Sequence, residues 1–221
     1  MFKQCLIVLS VCGAACSAVP VSAAGNGPAS APSSAPLAEQ ALGGTRLVAA
    51  LRTGGYVIYF RHTATDFSKN DSAMTGVDDC VNQRPLNEQG RRDAIQIGQR
   101  IRELRLAGGD VLASPMCRTM EHARLTFGRA TPAAAMRERE AGDFPGLKLL
   151  LANPVDKGSN RWLFGHGTPF RTVAGPPQLA EGEAVVLRPL GQGWRVEARL
   201  RVEDWATLPA DGPRAPGGRR Q

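Results

Sequence analysis

Apolar and polar positions along this chain fall into blocks whose period changes, and each change predicts an element. Tyr56-Val57-Ile58-Tyr59-Phe60 is a continuous apolar run between Gly54-Gly55 and Thr63-Ala64-Thr65-Asp66, which predicts a buried strand emptying into a loop. Val111-Leu112-Ala113 and Arg161-Trp162-Leu163-Phe164 repeat the pattern; the first runs into Ser114-Pro115 and the second into Gly165-His166-Gly167. Leu37 to Arg52 predicts a helix closed by Gly54-Gly55, and Asn87 to Leu106 a longer one with Ala94, Ile97, Ile101 and Leu104 on one stripe. The spacing over Arg118 to Phe127 predicts another. Towards the C-terminus the period drops to two. Glu183 to Pro189 and Trp194 to Val202 read as strands joined by a Leu190-Gly191-Gln192-Gly193 hairpin. In the second strand Trp194, Val196, Ala198, Leu200 and Val202 alternate with Arg195, Glu197, Arg199 and Arg201, the pattern of a half-exposed antiparallel strand at a sheet edge. Elsewhere helix and strand alternate, so the expected class is α/β: a mostly parallel sheet with helices on both faces and an antiparallel hairpin near the C-terminus.

The ends of the chain break this regularity. Residues 1–24 carry Lys3, an apolar stretch from Cys5 to Cys12 and a small-residue finish at Ala23-Ala24, which reads as an export signal too short and too rich in Ala and Gly to span a membrane. Cys16 stands where a lipid-anchored protein would carry its modified cysteine, but Gly13 occupies the position that wants an apolar residue, so the expected location is periplasmic or secreted rather than lipid-anchored. Residues 25–36 form a Pro/Ala/Ser-rich spacer, 37–208 one domain, and 209–221 a basic Gly/Pro-rich tail without predicted order. Of the five cysteines, Cys5, Cys12 and Cys16 leave with the signal. The remaining pair, Cys80 and Cys117, is a disulfide candidate in an oxidising compartment, with two buried thiols as the alternative.

Candidate chemistry gathers at the predicted strand exits. Arg61-His62 ends the first strand, Arg118 follows the second at the start of a helix, and His166 follows the third. Open α/β sheets bind their ligands at the carboxyl ends of the strands. An imidazole can attack phosphorus and carry the phosphoryl group covalently, while guanidiniums and the N–H groups of a helix start hold its oxygens. Such a pocket needs no metal and no cofactor. His122 lies within the predicted helix, where it is expected to face solvent or cap packing, and its neighbour Glu121 points elsewhere, which argues against a metal site.

These pieces together resemble the histidine phosphatase superfamily, also called phosphoglycerate mutase-like. Arg61-His62-Thr63 is similar to its Arg-His-Gly signature, Ser114-Pro115-Met116-Cys117-Arg118 to its Ser-Pro-x-x-Arg element, and Gly165-His166-Gly167 to its late Gly-His-Gly loop. Gln83-Arg84-Pro85-Leu86-Asn87-Glu88-Gln89-Gly90-Arg91 matches its Pro-Leu-Thr-Glu-x-Gly block. Thr63 departs from the usual glycine, and no Asp follows His166, which argues against the acid phosphatase branch. The resemblance implies a metal-independent phosphomonoesterase with His62, Arg61, Arg118 and His166 as catalytic residues and Thr63, Arg84, Gly167 and Thr168 against the substrate. It also implies a proton-donating carboxylate between the second arginine and the second histidine. Asp143 and Glu140 are named for it, with Glu121, Glu138 and, outside that interval, Glu183 as further options. The net charge of +7 suits a small anionic, phosphorylated substrate, and envelope sugar phosphates such as a lipopolysaccharide-core heptose phosphate are expected by resemblance to exported members. Scattered arginines, few aromatics and an export signal argue against nucleic acid. A non-catalytic phosphate-binding protein on the same fold and a phosphoglycerate mutase-like phosphotransferase are the alternatives.

Overall fold

A computed structural model describes residues 42–137 and 142–210; the expected leader and spacer, residues 211–221 of the expected tail, and Glu138 and Glu140 lie outside them. Among the described residues, strands β1 (Tyr56–Arg61), β2 (Val111–Ala113), β3 (Thr131–Pro132), β4 (Asn160–Gly165), β5 (Ala184–Pro189) and β6 (Trp194–Leu200) form one sheet in the order β3-β2-β4-β1-β5-β6. β1 pairs parallel with β4, and β4 with β2, whereas β5 and β6 run antiparallel. The fold class is therefore as the patterning predicts. The central strands are buried on both sides, which is why they read as continuous apolar runs.

The helices are α1 (Gly44–Thr53), α2 (Glu88–Glu103), α3 (Cys117–Phe127), α4 (Pro145–Ala152), α5 (Gly167–Ala174) and α6 (Val202–Thr207). Leu47 and Leu51 of α1, Ile97 and Ile101 of α2, Ala123 of α3 and Trp205 of α6 cover one face of the sheet against Ile58, Phe60 and Trp162. Leu147 and Leu151 of α4 and Phe170 of α5 cover the other against Val57, Tyr59 and Leu163. Helix α2 starts where its sequence says: Asn87 caps it, its side chain accepting from the Gly90 N–H at 2.8 Å. Gly90 has to be glycine, because a Cβ there would stand 2.1 Å from the carbonyl oxygen of Ala64. The Pro-Leu-Asn-Glu-Gln-Gly block thus presses the start of α2 onto the loop that leaves β1.

Four expectations need correction. Helix α1 begins only at Gly44, with Leu42 and Gly43 non-helical and residues 37–41 outside the description. Helix α2 stops at Glu103, because Leu104 closes the last turn and Arg105 takes a positive φ of 51°. Val202 opens α6 instead of extending β6; Asp204 accepts from the Arg201 N–H and ends the strand there. The alternation along β6 also breaks, at a bulge opposite Val186 and Leu187. Its extra residue reverses the faces, so Glu197 is 4% exposed, tied to Arg188 and Arg195, while Val196 is 49% exposed.

Candidate active site

The carboxyl ends of β1, β4 and β2 lie side by side, held in register by hydrogen bonds that continue past the strands. The His62 N–H donates to the Gly165 carbonyl at 3.0 Å, and the Ser114 N–H to that of Phe164 at 2.9 Å. Arg61, His62, Ser114 and His166 are thereby brought to one place although 105 positions separate the outermost pair in the chain. His62 is 2% exposed. Its Nδ1 lies 3.0 Å from the Thr63 carbonyl, which accepts only, so Nδ1 carries the hydrogen and Nε2 keeps its lone pair. Burial, reinforced by the charges of Arg118, Arg61 and Arg84 and opposed by the Thr63 carbonyl, pushes the His62 imidazole down to about 3, so it is neutral at pH 7.

His166 immediately precedes α5, and its ring stands 5.6 Å, centroid to centroid, from that of His62. Its Nε2 is 2.9 Å from Ser114 Oγ. Burial, with the charges of Arg118, His62, Arg137 and Arg61, also lowers its pKa. The loop is fixed from below by Tyr59, whose hydroxyl accepts from the His166 N–H and donates to the His166 carbonyl, each at 2.9 Å. Gly165 makes room for this clamp, since a Cβ there would meet the Tyr59 hydroxyl at 2.1 Å.

Three guanidiniums surround the histidines. Arg61 donates to the Leu179 carbonyl at 2.7 Å and reaches Glu181 at 3.5 Å. Arg118, the second residue of α3, is 6% exposed and pairs with Asp71 at 3.1 Å. Arg84 lies over the Phe67 ring at 4.8 Å, and its backbone N–H donates to Asp71 at 2.8 Å. The Nε atoms of all three arginines are buried without a partner. Donors left unpaired in a buried place are costly, and an anion would satisfy them. The first N–H of α3 is not free for that role, because it donates to the Gln83 side chain at 2.9 Å.

Two carboxylates escaped the sequence reading. Glu181, before β5, accepts from the Thr65 hydroxyl at 2.8 Å and the Thr65 N–H at 3.2 Å, and stands 3.8 Å from His62 Nδ1. Asp71 sits in the loop before α2. No local pattern marks either: one is an acid beside Gly182, the other part of a polar loop.

The remaining candidates scatter. Thr63 is buried beside His62, its hydroxyl without a partner. Gly167 is buried and Thr168 exposed at the start of α5, Thr168 bordering a cleft of about 260 Å³ that Asp71, Arg118, Arg137, Phe144 and His166 also line. Asp143 is exposed in the bend before α4 and does not line this cleft. Glu121 pairs with Arg91 at 2.6 Å and Glu183 with Arg199 at 2.7 Å, and neither lines the cleft that His166 borders. Cys80 and Cys117 form a disulfide. A larger cavity of about 690 Å³ includes Cys80, Cys117, Arg118 and Glu121 but no histidine, whereas His166 and Arg118 both line the smaller cleft; His62, more deeply buried, lines neither. His122 neither faces solvent nor caps packing. It is fully buried between Phe60 and Phe164, because the inward face of α3 carries it together with Thr119, Ala123 and Thr126. Among the described residues no group of three or more His, Cys, Asp or Glu side chains could hold a metal ion, and no helix is long and apolar enough to cross a membrane.

The model of the histidine phosphatase superfamily (branch 1) matches residues 57–174, more than half of the chain. The chain belongs to this superfamily. The matched span holds Arg61, His62, Arg84, Arg118 and His166, and it ends before Glu181. Among solved structures, the protein histidine phosphatase SixA complexed with tungstate is similar at a TM-score of 0.50 and 14% identity, over 67% of this chain and 98% of that one. A phosphoserine phosphatase from Entamoeba histolytica in complex with 3-phosphoglyceric acid matches at a TM-score of 0.49 and 14% identity, over 68% of this chain and 98% of that one. YhfR of Bacillus stearothermophilus matches at a TM-score of 0.44 and 19% identity, over 64% and 94%. No curated protein sequence matches significantly.

Proposed function

We propose that this histidine phosphatase hydrolyses phosphomonoesters through a phosphohistidine at His62. The observation that carries the reading is the buried imidazole with Nδ1 committed to a carbonyl and Nε2 left unprotonated among three arginines. Nε2 attacks phosphorus, the bond to the leaving oxygen breaks, and water then releases phosphate from the nitrogen. The ring becomes cationic when it carries the phosphoryl group, and the Glu181 carboxylate 3.8 Å from Nδ1 opposes that charge. Arg61, Arg84 and Arg118 supply the positive charge and donors that the equatorial oxygens require, a task that needs no divalent cation. Tungstate in the SixA complex is an oxyanion of the same kind.

The N-terminal residues support export, and export would bring the enzyme to a phosphorylated envelope sugar, the substrate class we propose. His62→Ala should abolish turnover of phosphomonoesters with the fold intact, and Glu181→Gln should lower kcat about tenfold or more by leaving the charged ring unopposed. Turnover should survive EDTA. Full activity in His62→Ala, or its loss to the chelator, would contradict the mechanism. Tight vanadate binding without any turnover in the unmodified protein would instead favour a phosphate-binding protein.

A further inference from the structure

The phosphoryl acceptor lies at the floor of the site and the substrate has to come from the open side. His62 is 2% exposed, whereas the side chain of Asp71 is 32% exposed. In-line displacement places the leaving oxygen opposite the attacking Nε2, so it projects away from the buried imidazole, towards the open side that Arg118 and His166 border. Among the described residues Asp71 is the one carboxylate that lines this cleft, together with Arg118 and His166. Glu181 cannot serve there, because it approaches His62 from the Nδ1 side and is held by Thr65 and Arg61.

Resting on the phosphatase reading above, we propose that Asp71 is the proton donor to the leaving group. In the first step the Asp71 carboxyl gives its proton to the leaving oxygen as the P–O bond breaks and the Nε2–P bond forms, releasing an alcohol and leaving a carboxylate. In the second, that carboxylate takes a proton from water as the water oxygen bonds to phosphorus. The N–P electron pair returns to Nε2, and the acid is regenerated for the next turnover.

The surroundings of Asp71 suit a group that changes protonation during the cycle. Burial pushes its pKa up, but the Arg84 N–H and the Arg118 guanidinium outweigh burial, and the carboxyl rests below its ordinary value. A bound phosphate monoester would draw Arg118 towards its own oxygens and set two negative charges beside Asp71, and both changes favour the protonated form. The carboxylate is aimed by two donors, the Arg84 N–H at 2.8 Å and Arg118 Nη1 at 3.1 Å.

The test is leaving-group dependence in Asp71→Asn, which keeps an oxygen for the Arg84 N–H, with Asp71→Glu as the variant that retains an acid. The unmodified protein should turn over both O-phosphoserine and 4-nitrophenyl phosphate. Asp71→Asn should lose about 100-fold in kcat on phosphoserine, whose alkoxide needs a proton, and less than about threefold on 4-nitrophenyl phosphate, whose phenolate leaves unaided. The basic limb of its kcat–pH profile should disappear, and Asp71→Glu should recover part of the phosphoserine rate. Equal losses on both substrates would overturn the assignment. So would faster turnover with tighter phosphate binding, which would make Asp71 only a competitor for Arg118. No turnover by the unmodified protein would overturn the phosphatase reading itself, an outcome separate from any failure confined to Asp71→Asn.

Discussion

His122 carries the plainest contradiction between residue chemistry and surroundings. Both of its ring nitrogens are buried without a partner, and burial pushes its pKa down to about 3. The unfolded chain therefore binds a proton on His122 between its ordinary pKa and about 3 while the folded chain does not, so stability is lost as pH falls through this window. His62 and His166 are displaced in the same direction. From pH 7 to pH 5 the buried His122 imidazole should cost about 2 kcal/mol of folding stability, from about 1.4 kcal/mol per pH unit below an unperturbed pKa near 6.5. His122→Leu removes two unsatisfied nitrogens and should change stability at pH 7 by no more than about 1 kcal/mol. Urea unfolding at the two pH values checks this: the variant should lose about 2 kcal/mol less than the parent on acidification, and an unchanged difference would show that His122 does not titrate as its burial requires.

The loop from Asp66 to Gln83 is the element that most changes the site. It carries Asp71 to Arg118, and it is fastened at Cys80–Cys117, immediately before that arginine, and by the Gln83 side chain on the Cys117 N–H. The bond closes 37 residues of sequence separation, which on the chain-entropy account stabilises by about 4 kcal/mol. Cys80→Ser should lower the urea midpoint accordingly and reduce activity without abolishing it, since His62, Arg61 and His166 are held by the sheet instead. An unchanged midpoint would mean that the loop is ordered by its hydrogen bonds alone. Local pattern could not reveal this arrangement. The pairing partners of Asp71 and Glu181 lie 47 and 120 positions away, at Arg118 and Arg61, and single acids in loops have no period to betray them.

At the scale of the whole molecule, the sheet sets three strand ends side by side. That much was legible, because a strand buried on both faces is written as an unbroken apolar run and its exit as the first charged residues after it. That rule names Arg61, His62, Arg118 and His166, which the structure places at or just beyond these strand ends. The bulge in β6 was not legible, since alternation persists on either side of the extra residue and only pairing with β5 shows the reversal of faces. Nor was the burial of His122, which depends on α3 lying against Phe60 and Phe164 from two separate strands. The central claim is that the sheet has assembled a nucleophile, and it can be tested by trapping the intermediate. The protein, quenched during turnover of a radiolabelled phosphomonoester, should hold label that is stable to alkali, labile to acid, confined to a peptide containing His62 and absent from His62→Ala. Label on another residue, or label stable to acid, would contradict it.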